Sequence, residues 1–283
     1  MDWQRSSINP WRLAWEVRRR GLYLGTDTET GEPLYLGSKW LSTHLHLIGP
    51  PGVGKTRLLL WLFQLLARVP RATIIMVNPK GALVRMARDW TIAHGQADRL
   101  ILFDPGDPET VIGYNPLRPN GLPVATHAKA VREAIRSAWG QSSFDQTPQL
   151  ARFLYLGVAS ARDCELTLVE AIAILRPGSE VRAAVLPILR DPFLREALEY
   201  FDSLRPARQE ELAASTVARL EAFVSDPAIA RMLSQQDHSL DLGEAIAGHK
   251  ILLVNLELYR PLLRDDVKLL GRLLVNDLLA HVF

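Results

Sequence analysis

Leu47–Leu62 reads LIGPPGVGKTRLLLWL, and its segment Gly49–Thr56, GPPGVGKT, fits the phosphate-loop pattern G-x4-G-K-[ST] with no departure. An apolar run, THLHLIG (43–49), precedes it and reads as a buried strand. TRLLLWLFQLLARV follows as a helix that Pro70 ends. A strand leading into the loop and a helix opening from it are the context that such a loop requires. Gly49, Gly52 and Gly54 let the backbone turn tightly, so that successive N–H groups converge on an anion. The helix start near Lys55 adds its positive dipole end. In such a loop Lys55 reaches the β- and γ-phosphates of ATP and the Thr56 hydroxyl ligates Mg²⁺. The loop residues expected around the nucleotide are therefore Gly49, Pro50, Pro51, Gly52, Val53, Gly54, Lys55, Thr56 and Arg57.

Working outward, ATIIMVNPKG (72–81) reads as a second apolar strand and DRLILFDPGDP (98–108) as a third, with the helical pattern ALVRMARDWTIAHG between them. Strands alternating with helices predict an α/β fold, a parallel sheet with helices on both faces. GLYLGTDTETGEPLYLGS carries a hairpin signal. From about 124 to 247 the texture changes to amphipathic helical segments punctuated by Pro177, Pro192, Pro206 and Pro227, which reads as an all-helical insertion. HKILLVNLEL (249–258) returns to strand, and RDDVKLLGRLLVNDLLAHVF is a final helix. The organisation expected is a basic arm at 1–21, a first part of the core at 22–123, the insertion at 124–247, and a return to the core at 248–283.

Bulk composition narrows the class. Apolar content of 48% and charged content of 23% over 283 residues are those of a globular chain with a sizeable core. The net charge of +2 does not by itself indicate nucleic acid, although 27 of the 33 basic residues are Arg. Arg suits phosphate contacts, but a coding preference for Arg accounts for the skew more readily. One cysteine, Cys164, cannot close an internal disulfide and lacks the context of a nucleophile. No apolar run approaches the roughly 20 residues that span a bilayer. Cytoplasmic residence is expected, with a peripheral place at the inner membrane left open. In the arm, Trp11 and Trp15 share a helical face with Arg18–Arg20 at its end; a docked helix with a solvated tip and a membrane-proximal or nucleic-acid contact are both compatible with it.

Hydrolysis would need an acid for the magnesium shell and a polariser for water, at strand ends beside the loop. IIMVN ends in Asn78 and ILLVN in Asn255, amides that cannot act as bases; LILFD ends in Asp104, with Pro105 where a second acid would stand. Asp104 is a candidate magnesium acid and catalytic residue beside Lys55, or it simply opens the turn D-P-G-D. His44 and His46 alternate along the first run with no ligand partner and read as core or strand-edge residues. Arg182, Arg190, Arg195, Arg205 and Arg208 are scattered like solvated faces, with Glu210 and Glu211 beside the last two.

HLHLIGPPGVGKT, VNPKGALVRMARD and ILFDPGDPETVIGYNPL, in this order and spacing, resemble the motor domain of type IV secretion coupling proteins, in the HerA and FtsK group of P-loop DNA pumps. The likeness continues through HKILLVNLEL and covers roughly 22–283. It implies a P-loop NTPase (RecA-like) sheet core interrupted by a helical domain. It also implies a homo-oligomer, usually a ring of six, that grips DNA and hydrolyses ATP between subunits alongside secretion or relaxosome proteins. Asn78, Pro79, Lys80 and Gly81 fall on the family's D-P-K-G, with Asn where Asp is usual; Lys80 would contact nucleotide or a neighbouring subunit, or stand as an ordinary exposed lysine. Two departures are plain: the family's transmembrane helices have no counterpart, and its Asp-Glu strand, with the glutamine-bearing strand after it, would come after the kind of helix on which this sequence ends. A DNA-translocating ATPase module is thus the first expectation, a nucleotide-binding assembly module without hydrolysis the second, and a small-molecule phosphotransferase the third.

Overall fold

The computed structural model of the chain describes residues 9–37, 39, 43–107, 109–110, 112–139, 148–236, 240–257 and 264–282. Residues 1–8 of the expected arm, Pro108, Leu258 and Phe283 of the expected strands and final helix lie outside them. The chain divides into two units, one running to Phe103 and including Glu244–Asn255, the other comprising Asp104–Gly243 and the chain from Leu256.

The first unit opens with α1 (Pro10–Arg20), capped by the Asn9 side chain, and an antiparallel hairpin of β1 (Leu22–Thr26) and β2 (Pro33–Leu36). Then come α2 (Lys55–Ala67), β3 (Ile74–Asn78), α3 (Ala82–Ala93), β4 (Leu100–Phe103) and, after the long excursion, β5 (Ile251–Asn255). The three strands form a parallel sheet in the order β3-β5-β4, with Ile74 opposite Ile251, Asn78 opposite Asn255, and Phe103 opposite Val254. The fold is therefore α/β with a parallel sheet. Parallel strands of one sheet require crossover connections, and α3 supplies the one from β3 to β4, which flank β5 on either side.

Alternation along the strands selects one face of the sheet. Ile74, Met76, Leu100, Leu102, Ile251 and Leu253 pack with Phe63 and Ala67 of α2 and Val84 and Ala87 of α3. The opposite flank of α2 carries Leu62 and Leu65, which cluster with Leu13 of α1 and Leu22 of β1. A helix covered on two sides must be apolar nearly all round, and this accounts for the run LLLWLFQLLA. Trp61 fastens the outer layer by donating Nε1–H to the Tyr23 carbonyl at 2.8 Å. At the amino ends of the strands Arg99 donates to the carbonyls of Ala67, Ala72 and His249, joining the end of α2 to the approaches of β3 and β5.

The strand expected at 43–49 is not formed. Among the described residues this segment carries no strand, and it is exposed: Leu45 at 56%, Ile48 at 79%, with His44 and His46 exposed as well, so these histidines are neither core nor strand-edge residues. An apolar run becomes a strand only when an edge pairs with it, and here the sheet is organised around β5 instead.

The second unit is helical: α4 (Val124–Trp139), α5 (Pro148–Asp163), α6 (Leu168–Leu175), α7 (Glu180–Val185), α8 (Pro192–Ser203), α9 (Pro206–Val224) and α10 (Pro227–Leu233). The chain then passes through α11 (Leu242–Ala247), and α12 (Arg264–Val282) closes it. Pro192, Pro206 and Pro227 each stand at the first helical position, where a missing N–H costs nothing. Asp191 and Asp226 accept from the amides that follow. Thr167 and Glu170 form a reciprocal capping box on α6. α5 and α6 approach so closely at Gly157 that a Cβ there would lie 2.9 Å from the Ala171 carbonyl oxygen.

Arg182 is not on a solvated face. It is fully buried, donating to Asp202 Oδ1, Gln209 Oε1 and the carbonyls of Ile174 and Arg176, with Phe201 stacked against the guanidinium. A guanidinium can be buried where its donors converge on fixed acceptors. Arg208 does pair within its helix, with Glu211 at 2.6 Å. Among the described residues no helix is long and apolar enough to cross a membrane.

Candidate functional site

Gly49–Thr56 forms a turn that delivers the chain into α2. Gly52 and Gly54 hold φ of +87° and +91°, the left-handed region that side chains resist. A Cβ on either would meet nothing within 4 Å, so backbone conformation alone demands glycine there. Gly49 is constrained in a different way: a Cβ would lie 2.9 Å from a methyl of Val53, which would have to shift. Three glycines of one motif thus answer to two physical constraints.

Lys55 is the first residue of α2, and its ammonium folds back across the turn. It donates to the carbonyls of Gly49 at 2.5 Å and Pro50 at 2.6 Å. This closes the loop into a ring whose rim carries a positive charge. Gly54 caps α2 without a side chain, so the first amides of the helix are offered to no capping oxygen. By contrast Asn9, Thr167, Ser179, Asp191 and Asp226 each cap a helix with a side-chain oxygen. Thr56 and Arg57 are exposed on the first turn. Backbone amides, an ammonium and a hydroxyl within eight residues make a donor set suited to an anion, and the room beside Gly52 and Gly54 is compatible with one.

The strand ends lie at one edge of the parallel sheet. Asn78 accepts from the Lys80 amide at 2.9 Å through Oδ1, and Ala82 N–H bonds the Lys80 carbonyl at 2.7 Å, so VNPKG is a tight turn into α3. Gly81, with φ of +67°, caps that helix, and the Lys80 side chain is exposed. Asn255 is buried opposite Asn78. Asp104, one residue past β4, belongs to the second unit, and its Oδ1 accepts from Gly106 N–H at 3.1 Å while its carbonyl accepts from Asp107 N–H. The carboxylate thus opens the turn D-P-G-D. Among the described residues no three His, Cys, Asp or Glu side chains gather as a metal site.

Two features were hidden from the sequence. The return of Lys55 onto its own loop has no sequence signal beyond the motif itself. The second is a buried polar pair in the helical unit, His127 and Arg162, whose partners are 35 residues apart. Arg162 donates Nε–H to His127 Nδ1 at 2.8 Å. Burial first, then the charge of Arg162, hold the imidazole pKa down at about 4. Cys164 is free, and burial, then the charge of Asp163, raise its thiol pKa, the opposite of nucleophile activation.

No protein-family model matches the chain, and no curated protein shows a significant match to it.

Proposed function

We propose that this chain is a nucleotide-binding module that takes Mg·ATP on the loop Gly49–Thr56, and that it is of the P-loop type found in coupling-protein DNA motors. The observation that supports the reading best is the loop itself: left-handed Gly52 and Gly54, followed by Lys55 with its ammonium drawn over the turn. In this reading the amides of Gly52–Lys55 and the α2 dipole hold the β-phosphate. Lys55 exchanges its two carbonyl acceptors for phosphate oxygens, and the Thr56 hydroxyl serves magnesium. Bound Mg·ATP supplies the phosphoryl group; the chain supplies charge neutralisation and orientation. A ring of copies acting on DNA, with secretion proteins as partners, is the wider form of this proposal and rests on the sequence resemblance.

A second reading is favoured by one observation. The register partners Asn78 and Asn255 place amides, not acids, at two strand ends, and Asp104 is committed to a turn. Nucleotide would then bind and promote assembly without turnover by this chain.

The test is titration calorimetry with Mg·ATP and Mg·ADP on the wild type and on Lys55→Ala. Heat of binding in the wild type and none in the variant is expected; no heat in the wild type would sink both readings. Single-turnover phosphate release, with and without DNA, then separates them.

A further inference from the structure

We infer that α1 is an interfacial helix that docks this chain on an anionic lipid surface, through Trp11 and Trp15 flanked by Arg12, Arg18 and Arg19. Placed at 3.6 residues per turn, these five side chains fall within an arc of about 120°. Leu13 and Val17 lie on the other side and pack into the cluster that includes Leu22 and Leu65. The helix is thus held by one face while the other points outward. Both indoles are left in water, Trp11 at 65% and Trp15 at 56% exposure.

The charges are sorted as well. The one acid of the helix, Glu16, is turned inward and only 7% exposed, with Oε1 at 3.7 Å from Arg12 Nε. Arg18, Arg19 and Arg20 are all exposed in the last turn, and Arg19 lies over the Trp15 ring at 5.2 Å. Arginines at a helix C-terminus complement the dipole, which accounts for their position. The dipole gives no reason for two exposed indoles one turn apart beside them. Indole prefers the boundary between headgroups and acyl chains, and guanidinium pairs with anionic headgroups. A nucleic acid would call for cations spaced as a track along its backbone, whereas here Arg18, Arg19 and Arg20 crowd the last turn beside Trp15 and Arg12 is set against Glu16. A Trp-bearing, cationic helix face of this kind lies in the plane of a membrane without spanning it.

The inference stands apart from the nucleotide reading, and Lys55→Ala is expected to leave it untouched. The experiment is co-flotation of the full chain with vesicles of phosphatidylcholine, alone or with about 30% phosphatidylglycerol, a charge density that attracts basic segments. Wild type is expected to bind the anionic vesicles and to release as salt rises. Trp11→Ala/Trp15→Ala and Arg18→Gln/Arg19→Gln are each expected to bind about tenfold more weakly. Quenching of indole fluorescence by brominated acyl chains should drop in the tryptophan variant. These side chains are exposed, so circular dichroism melts should match the wild type. Equal flotation of wild type and variants overturns the inference. So does the capture of an oligonucleotide by these residues without any binding to vesicles.

Discussion

Asn78 and Asn255 are register partners on adjacent parallel strands, one at the end of β3 and the other at the end of β5. Their environments differ. Asn255 is buried, whereas Asn78 is half-buried and already accepts the Lys80 amide through Oδ1. Aspartate should therefore be tolerated at one position and not at the other. At 78 a carboxylate keeps the acceptor role, and the change should cost less than about 1 kcal/mol. At 255 it must be desolvated, and Asn255→Asp should lose about 2–4 kcal/mol at pH 7. Burial would raise the new carboxyl's pKa, so the deficit should shrink as pH falls toward 4. Urea denaturation of both variants at pH 7 and pH 5 checks this. Equal losses at the two positions would contradict the asymmetry.

The glycines of the loop make a second prediction. Gly54→Ala and Gly52→Ala each force a side chain into the left-handed region and should cost about 1–2 kcal/mol or shift the loop, although the added methyl meets nothing. Gly49→Ala is a steric change against Val53, so a compensating Val53→Ala should recover much of its loss. The same second substitution should do nothing for Gly54→Ala. Thermal melts of the single and double variants distinguish a conformational cause from a contact.

Arg182 and Asp202 form an ion pair at 2.7 Å, with one side chain fully buried and the other 48% exposed. The cost of breaking it should depend on which partner is removed. Arg182→Ala strands the carbonyls of Ile174 and Arg176 in the helical core, leaves Gln209 Oε1 with the Gly178 amide alone, and should lose about 3–5 kcal/mol. Asp202→Ala removes a half-exposed group and leaves the guanidinium three neutral acceptors without its counter-charge, so it should cost less than Arg182→Ala but more than the roughly 1 kcal/mol of an exposed pair. Chemical denaturation of the two variants reads the difference directly.

These sites also mark what the amino-acid pattern could and could not convey. IIMVN, LILF and ILLVN are legible as strands because a strand in a parallel sheet reads as a near-continuous apolar run, although only ILLVN is buried along its whole length. That β5 lies between β3 and β4 is not legible, because strand order depends on contacts between runs some 150 residues apart, and local pattern carries none of them. The run at 43–49 misleads for the same reason: alternation signals a surface that can be buried, not a neighbour that buries it. Arg182 sits in EVRAAV, where spacing suggests a solvated face; only Asp202, Gln209 and Phe201, from later helices, make its burial possible. In the loop the residue types and spacing were sufficient to place a tight glycine turn and the start of α2, because such a turn uses only neighbouring residues. The ring closed by Lys55 depends on the rotamer of a long side chain, which spacing does not specify.

The His127–Arg162 contact carries a pH dependence of defined sign. Because Arg162 donates to Nδ1, the imidazole is neutral in the fold, and protonating it would set a cation beside a guanidinium. Its pKa is near 4 in the folded chain, lowered by burial first and by Arg162 second, with the Pro116 carbonyl opposing. In the unfolded chain it should return to about 6.5. Between these values the unfolded state binds the extra proton, so stability is retained above about pH 6.5 and declines as pH falls toward 4, by about 2 kcal/mol between pH 7 and pH 5. Asp277 acts in the opposite direction. Burial first raises its carboxyl, against the hydrogen bond from Asn120, so it contributes stability below the unfolded value that is lost as pH rises. His127→Asn keeps an acceptor for Arg162 and cannot be protonated. Urea midpoints at pH 7 and pH 5 should therefore fall markedly in the wild type and much less in the variant, and equal slopes would show that the imidazole is not held neutral by Arg162.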